Sequence, residues 1–239
     1  MLKELDEEVH VWSSKLDQPS DVVDHCRSLL GEPDRERADR FKTPQLRNQY
    51  TVAKASLLSL IALYTGTNPR QIQLHGGEFH KPLLRYPDGF GFEFSLSHSN
   101  NLAICGFARD GSIGVDVEPI DAGKDWEEVI DTCLSDYEKD WFLRLPRQQR
   151  ASSFIEIWTI KEAYLKAIGT GLVLSPTSVE LELNHETGYQ FRTTQDGRCG
   201  KRDWHIFTYS PAVSFTGAVV MQGQPRRLRR FTWVPELLN

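Results

Sequence analysis

Residues 113–120 read IGVDVEPI. Asp116 and Glu118 stand two apart in an otherwise apolar run. On a β-strand, residues i and i+2 point to one face. Two carboxylates would therefore lie side by side, with Val115 and Val117 facing the other way. Like charges that close repel unless something positive sits between them. A third carboxylate comes from WTIKEAYLKAIGTGL, which begins at Trp158. There Trp158, Glu162 and Lys166 follow at i, i+4 and i+8 and share one helix face. Each motif alone has an ordinary explanation: a solvated strand face for the Asp-x-Glu, a helix-supporting ion pair for Glu162 and Lys166. Together they offer three oxygen ligands. Such a set suits Mg²⁺, which keeps several waters and completes its octahedron with substrate phosphates. Lys161 and Lys166 would then meet the phosphates rather than the metal. Ser97-His98-Ser99 adds a histidine that, once protonated, can donate two hydrogen bonds to a phosphate. A Ser–His pair also raises nucleophilic catalysis. No GxSxG elbow is present, however, and serines flanking a histidine in sequence are badly placed for a triad.

These residues need elements to hold them. Residues 9–12 read as a first strand, and 20–30 as a helix starting at Ser20 or Asp21. EPDRERADRF looks like the front of another helix. Residues 45–65 have apolar positions at helical spacing, with Gly66 as the stop. Turn signals crowd residues 68–90. The runs 92–97 and 102–108 are short strands joined by HSNN, which puts His98 at the tip. Asp110-Gly111 between alternating runs predicts a hairpin that pairs 102–108 with the Asp116 strand. Residues 125–142 look helical, and they carry Trp126 and Trp141. Residues 152–168 form the clearest helix, with Ser153 and Glu156 at capping-box spacing and Gly169 and Gly171 after its end. Short strands follow at VELEL, YQFRTT, WHIFTY and FTGAVVM. The arginines of PRRLRRF read as a solvated tail, with attraction of an acidic partner as the alternative. Mixed helices and antiparallel hairpins make the fold class α+β.

Composition narrows the function. The 239 residues suit one large domain or two small ones. Apolar content of 39% and charged content of 26% are those of a soluble globular protein. No apolar run is long enough to span a membrane, and the acidic start MLKELDEEVHVW has no signal-like core. A net charge of −5 leaves no footprint for nucleic acid. Cys26, Cys105, Cys133 and Cys199 show no CxxC spacing, so neither a disulfide framework nor a zinc site is expected. A reducing cytoplasm fits.

Four blocks in fixed order give the chain a family resemblance. HKPLL (80–84), FSLSHS (94–99), IGVDVE (113–118) and WTIKEAYLKAIGTGL (158–172) resemble the GKP, FN[IL]SHS, [IV]G[IV]D[IV]E and WxxKEAxxKxxGxGL blocks of the 4'-phosphopantetheinyl transferases. The likeness is to the larger, single-chain type that activates peptide and polyketide synthetases. The resemblance implies transfer of the phosphopantetheine arm of coenzyme A to a serine of an apo carrier protein of acyl, polyketide or peptidyl type, with release of 3',5'-adenosine diphosphate. It implies that Asp116, Glu118 and Glu162 hold Mg²⁺, with Mn²⁺ as an alternative ion. Glu162 would also be the base for the carrier serine, directly or through a metal-bound water. Lys166 would stabilise the leaving phosphate, and Lys161 would reach a phosphate too. Lys81, Ser97 and His98 match coenzyme A contacts. His80 replaces a glycine and Ser95 an asparagine of the family pattern. Arg37 falls near a basic position used for the 3'-phosphate, with Arg40 close by, although Asp34 falls at another position that is often basic.

Small members of the family are about half this length and build their sites between subunits. The resemblance therefore implies two α+β halves, 1–110 and 111–239, related by a pseudo-twofold with coenzyme A in the cleft between them. The first half would contribute coenzyme A contacts, the second the metal carboxylates and the surface for the carrier. A fused pair has no need to oligomerise, so a monomer is expected. Two rival classes remain open on the residues alone. One is a binding module that keeps the cleft without chemistry. The other is a different Mg²⁺ enzyme acting on phosphates.

Overall fold

The computed structural model describes the chain apart from residues 77–80, 121–125, 171–172, 185, 187, 195–203, 225 and 239, and the side chain of Trp126. His80, Gly171, Cys199 and the Trp126 indole lie outside the described residues.

Strand β1 (Glu8–Lys15) leads into three helices, α1 (Ser20–Leu29), α2 (Glu32–Asp39) and α3 (Pro44–Thr65). A ribbon of β2 (Gln73–His75) and β3 (Leu83–Tyr86) follows, then β4 (Phe92–Ser99) and β5 (Leu102–Arg109). The same order recurs in β6 (Ile113–Pro119), the helices α4 (Ile130–Cys133), α5 (Asp136–Phe142) and α6 (Arg147–Ile168), the ribbon β7 (Glu180–Asn184) and β8 (Gly188–Thr193), and β9 (Trp204–Tyr209) with β10 (Phe215–Gln222). In each unit the first strand pairs antiparallel with the last, and the last with the one before it: β1–β5–β4 and β6–β10–β9. The chain thus holds one α+β unit twice, as the expected pseudo-twofold requires. A final strand, β11 (Arg227–Thr232), returns to the first unit and pairs parallel with β1. No helix among the described residues is long and apolar enough to cross a membrane.

Local chemistry sets the two longest helices. The Thr43 hydroxyl accepts from the Leu46 N–H, and Pro44 sits in the first turn, where its missing N–H costs nothing. Gly66 (φ 70°) and Gly169 (φ 74°) end α3 and α6 in the left-handed conformation that glycine adopts without strain. Strand alternation then builds the layers. Trp12, Phe94 and Phe107 pack one face of the first sheet on α1 and α3. Val9, Val11 and Ile104 turn the other face onto Ile113, Val115 and Val219 of the second sheet. Ala218 and Val220 carry that second sheet's outer face onto α6.

Several expectations need correction. The Asp110-Gly111 turn does not close a hairpin. Residues 102–109 and 113–119 lie in different sheets, and β6 pairs with β10. Both edges of β5 are already taken, by β1 and by β4; β6 instead packs face-on across it, where Gly106 has no Cβ to collide with Val115. His98 is within β4, and the tip is the two-residue turn at Asn100 (φ 51°) and Asn101. Residues 125–142 are not one helix, because Ser135 begins a new one with a full capping box to Glu138. Ser153 and Glu156 are not a capping box. They are interior to α6, which starts at Arg147, and Glu156 bonds Thr208 and Tyr189. The arginines after residue 225 are not a tail: Arg227, Arg229 and Arg230 are exposed side chains of strand β11. There Arg229 pairs with Glu8 at 3.1 Å, and the neighbouring Arg226 donates to the Leu5 carbonyl at 2.6 Å.

Candidate functional site

A cleft of about 990 Å³ opens between the two units. The first unit lines it with Arg37 of α2, Tyr50, Lys54 and Leu58 of α3, His75 of β2, Arg70, Lys81 and Arg85, and Leu96 and His98 of β4. The second unit contributes Glu162 and Lys166 of α6. Six of these side chains are permanent cations, which is the lining a polyphosphate ligand needs. The Arg37 guanidinium lies 5.5 Å from the Tyr50 ring centre. Lys81 pairs with Glu93 at 2.8 Å and Lys54 with Asp34 at 3.2 Å. Apolar lining from Leu29, Leu58, Ile72 and Leu74 lies in the same cleft.

The carboxylates sit where the units meet. As the alternation predicts, Val115 and Val117 are fully buried in the inter-sheet core, and Asp116 and Glu118 point away from it. The edge of β6 that does not pair with β10 faces β4, whose serines at i, i+2 and i+4 reach it one after another. Ser95 Oγ accepts from the Val115 N–H at 3.1 Å. Ser97 Oγ donates to Asp116 Oδ1 at 2.7 Å, and Ser99 Oγ donates to Glu118 Oε2 at 2.9 Å. From α6, Lys166 Nζ donates to Asp116 Oδ1 at 2.6 Å and to Ser97 Oγ at 2.9 Å. The cation facing Asp116 is thus the Lys166 ammonium.

Glu162 is held differently. Burial raises its pKa to about 6; Lys166 opposes the rise, and the charges of Asp116 and Glu118 add to it. Its Oε1 is buried without a hydrogen-bond partner, and so is Asp116 Oδ2. Two orphaned carboxylate oxygens at one junction are what a hard divalent cation would satisfy, so the donor set fits Mg²⁺. Among the described residues, the group whose ligand atoms all lie within 4.8 Å of one another is Glu4, Glu8 and His10, where the His10 nitrogens are already bonded to Glu8 and Tyr64. The ligand atoms of Asp116, Glu118 and Glu162 do not all lie that close to one another. His98 lines the cleft and keeps solvent access. Burial lowers its pKa first, then the Lys166 and Arg37 charges; Asp116 pulls the other way.

The structure brings Arg37, Lys81, His98, Glu162 and Lys166 into one cleft and places Ser97 and Asp116 at its end. Lys161 is a correction. It faces away from the cleft, fully buried, and its three donors go to Glu138 Oε2 (2.6 Å), the Cys133 carbonyl (2.8 Å) and the Pro176 carbonyl (3.0 Å). Consecutive helix residues point about 100° apart, so the neighbour of Glu162 cannot share its face. Lys54, Arg70 and Arg85 escaped the sequence reading, since no local pattern marks a cation that joins a site through the fold. Ser95 and Ser99 were detectable: SLSHS alternates hydroxyls at strand spacing.

Comparison with known proteins gives these residues relatives. A family model described as the 4'-phosphopantetheinyl transferase superfamily matches residues 112–219. The chain is 30% identical over 234 residues to 4'-phosphopantetheinyl transferase HetI from Nostoc sp., a match that covers 97% of this chain and 92% of the relative. It is 24% identical over 181 residues to 4'-phosphopantetheinyl transferase Sfp from Bacillus subtilis, covering 74% of this chain and 77% of that protein. Among solved structures, a holo-(acyl-carrier-protein) synthase from Bacillus anthracis in complex with CoA (3',5'-ADP) matches 47% of this chain and 96% of its own, with 20% identity and a TM-score of 0.41.

Proposed function

The chain belongs to the 4'-phosphopantetheinyl transferase superfamily, and from that premise we propose that it moves the phosphopantetheine arm of coenzyme A to a serine of an apo carrier protein. The serine oxygen attacks the phosphorus that bears the pantetheine. The bond from that phosphorus to the nucleotide breaks, and 3',5'-adenosine diphosphate leaves. The observation that carries this reading is the junction itself, where a cleft lined by six permanent cations ends at Asp116 and Glu162.

The residues divide the work by charge. Arg37, Lys54, Arg70, Lys81 and Arg85 hold the phosphates of coenzyme A, and His98 joins them when protonated. Lys166, already a donor to Asp116, stabilises charge on the departing phosphate. Glu162, with an unpartnered oxygen at the junction, takes the serine proton. Asp116, Glu118 and Glu162 would hold Mg²⁺, whose chemistry there is neutralisation of phosphate charge. We place the coenzyme A contacts in residues 1–110 and the carboxylates in 111–239, in a chain that works as a monomer in the cytoplasm. Its buried, free Cys26, Cys105 and Cys133 suit a reducing compartment.

The test is the intact mass of an apo carrier protein after incubation with this chain, coenzyme A and Mg²⁺. A gain of one phosphopantetheine group, abolished by EDTA, is expected. No gain on a fatty-acid, a polyketide and a peptide carrier would contradict the reading.

A further inference from the structure

Three serines of β4 bond to β6, but their partners differ in kind. Ser95 satisfies a backbone N–H, which is structural. Ser97 Oγ is shared between Asp116 and Lys166. Ser99 donates to Glu118 at 2.9 Å. Asp116 is short, buried and gripped by a lysine. Glu118 has a longer side chain, is only part-buried, and sits at the end of β6 just before Pro119. Ser99 is itself fixed. It closes the β4–β5 hairpin opposite Leu102, and the positive φ of Asn100 sets the turn beside it. A one-residue slip of that turn would point the hydroxyl at the other face of the strand.

We infer that Ser99 is a positioning residue for the transfer: donated across the junction of the two units, its hydroxyl sets the direction of the Glu118 carboxylate for a divalent cation. The inference rests on the reading of Glu118 as a metal ligand given above. A carboxylate oriented before the cation arrives loses less freedom on binding it, and groups that orient ligands in this way are typically worth about 10- to 100-fold in metal affinity. Because Ser99 is only part-buried, the lower end applies.

The experiment uses the full chain without coenzyme A or carrier. Mn²⁺ binding is followed by electron paramagnetic resonance for wild type, Ser99→Ala and Ser99→Thr, with melting temperatures measured alongside. Ser99→Ala is expected to bind Mn²⁺ about tenfold more weakly. Ser99→Thr, which keeps the hydroxyl, is expected to recover most of the affinity. The Mg²⁺ concentration for half-maximal transfer should shift by the same factor as Mn²⁺ affinity. Equal Mn²⁺ affinity in wild type and Ser99→Ala overturns the inference, even if the variant melts earlier, because Ser99 would then be merely structural. If wild type transfers the group while Ser99→Ala is unaltered, only this inference falls. If wild type transfers nothing, the underlying reading falls with it.

Discussion

Replacing Glu162 by glutamine is expected to make the metal-free protein more stable while removing its activity. The Glu162 pKa rises from 4.5 to about 6, first through burial and then through Asp116 and Glu118, against the pull of Lys166. For an acid raised in this way, the folded state holds the proton more tightly than the unfolded state. The resulting stabilisation is complete below the unfolded value near 4.5 and is lost as pH rises through 6. At pH 7.5 the charged carboxylate therefore costs the fold up to about 2 kcal/mol, an upper limit because Glu162 keeps some solvent contact. Glutamine has nearly the same shape and no charge. Urea unfolding in EDTA at pH 7.5 should show a higher midpoint for Glu162→Gln at unchanged slope. For a chain of this length the gain corresponds to roughly 4–8 °C in melting temperature. At pH 4.5 the gain should shrink toward zero. Added Mg²⁺ should reverse the order, since it stabilises the protein that binds it. Transfer by the variant should fall about 100-fold or more, the usual cost of a lost general base. Equal or lower stability of the variant at pH 7.5, or the same gain at pH 4.5, would mean that the Glu162 charge does not burden the fold.

Lys161→Met should destabilise the protein by about 3–5 kcal/mol, because it leaves the fully buried Glu138 carboxylate without its ion partner. Urea unfolding checks this, and calorimetry of the folded protein should show unchanged coenzyme A affinity; the reverse pattern would return Lys161 to the phosphates. His98 titrates below 6.5 in the free protein, and phosphate favours its charged form. Coenzyme A binding should then take up a proton and tighten as pH falls toward that lowered value, and His98→Gln should flatten the calorimetric profile. Gly114→Ala places a Cβ against the Ala163 carbonyl oxygen, so α6 must shift off β6. A loss of at least about 1–3 kcal/mol is expected. Transfer should also fall, since Glu162 moves with the helix.

The carboxylate pair was legible because alternation on a strand is a local rule, and Val115 and Val117 entered the core as that rule requires. The stops of α3 and α6 were legible for the same reason, as a glycine after a helical run has one backbone meaning. What failed was long-range. Asp110-Gly111 carries a hairpin signal, but both edges of β5 are held by β1 and β4, and β6 pairs with β10, about a hundred residues away in the chain. That the exposed arginines of β11 belong to a strand was hidden because its partner is β1, at the other end of the chain. Lys161 is next to Glu162 in sequence but not in space, because a helix turns neighbours apart. Of the site, the residues on β6, β4 and α6 could be read in advance. The first-unit cations Lys54, Arg70 and Arg85 could not, since only the fold gathers them.

In the proposed reaction the junction couples release of the nucleotide to loading of a carrier serine. The most direct measurement counts both products in one reaction: 3',5'-adenosine diphosphate by chromatography and holo-carrier by intact mass, for wild type and Asp116→Ala. One nucleotide for each holo-carrier is expected in wild type, and neither product from Asp116→Ala. Nucleotide released without holo-carrier would make the chain a hydrolase of coenzyme A. Undiminished loading by Asp116→Ala would take the carboxylate junction out of the chemistry.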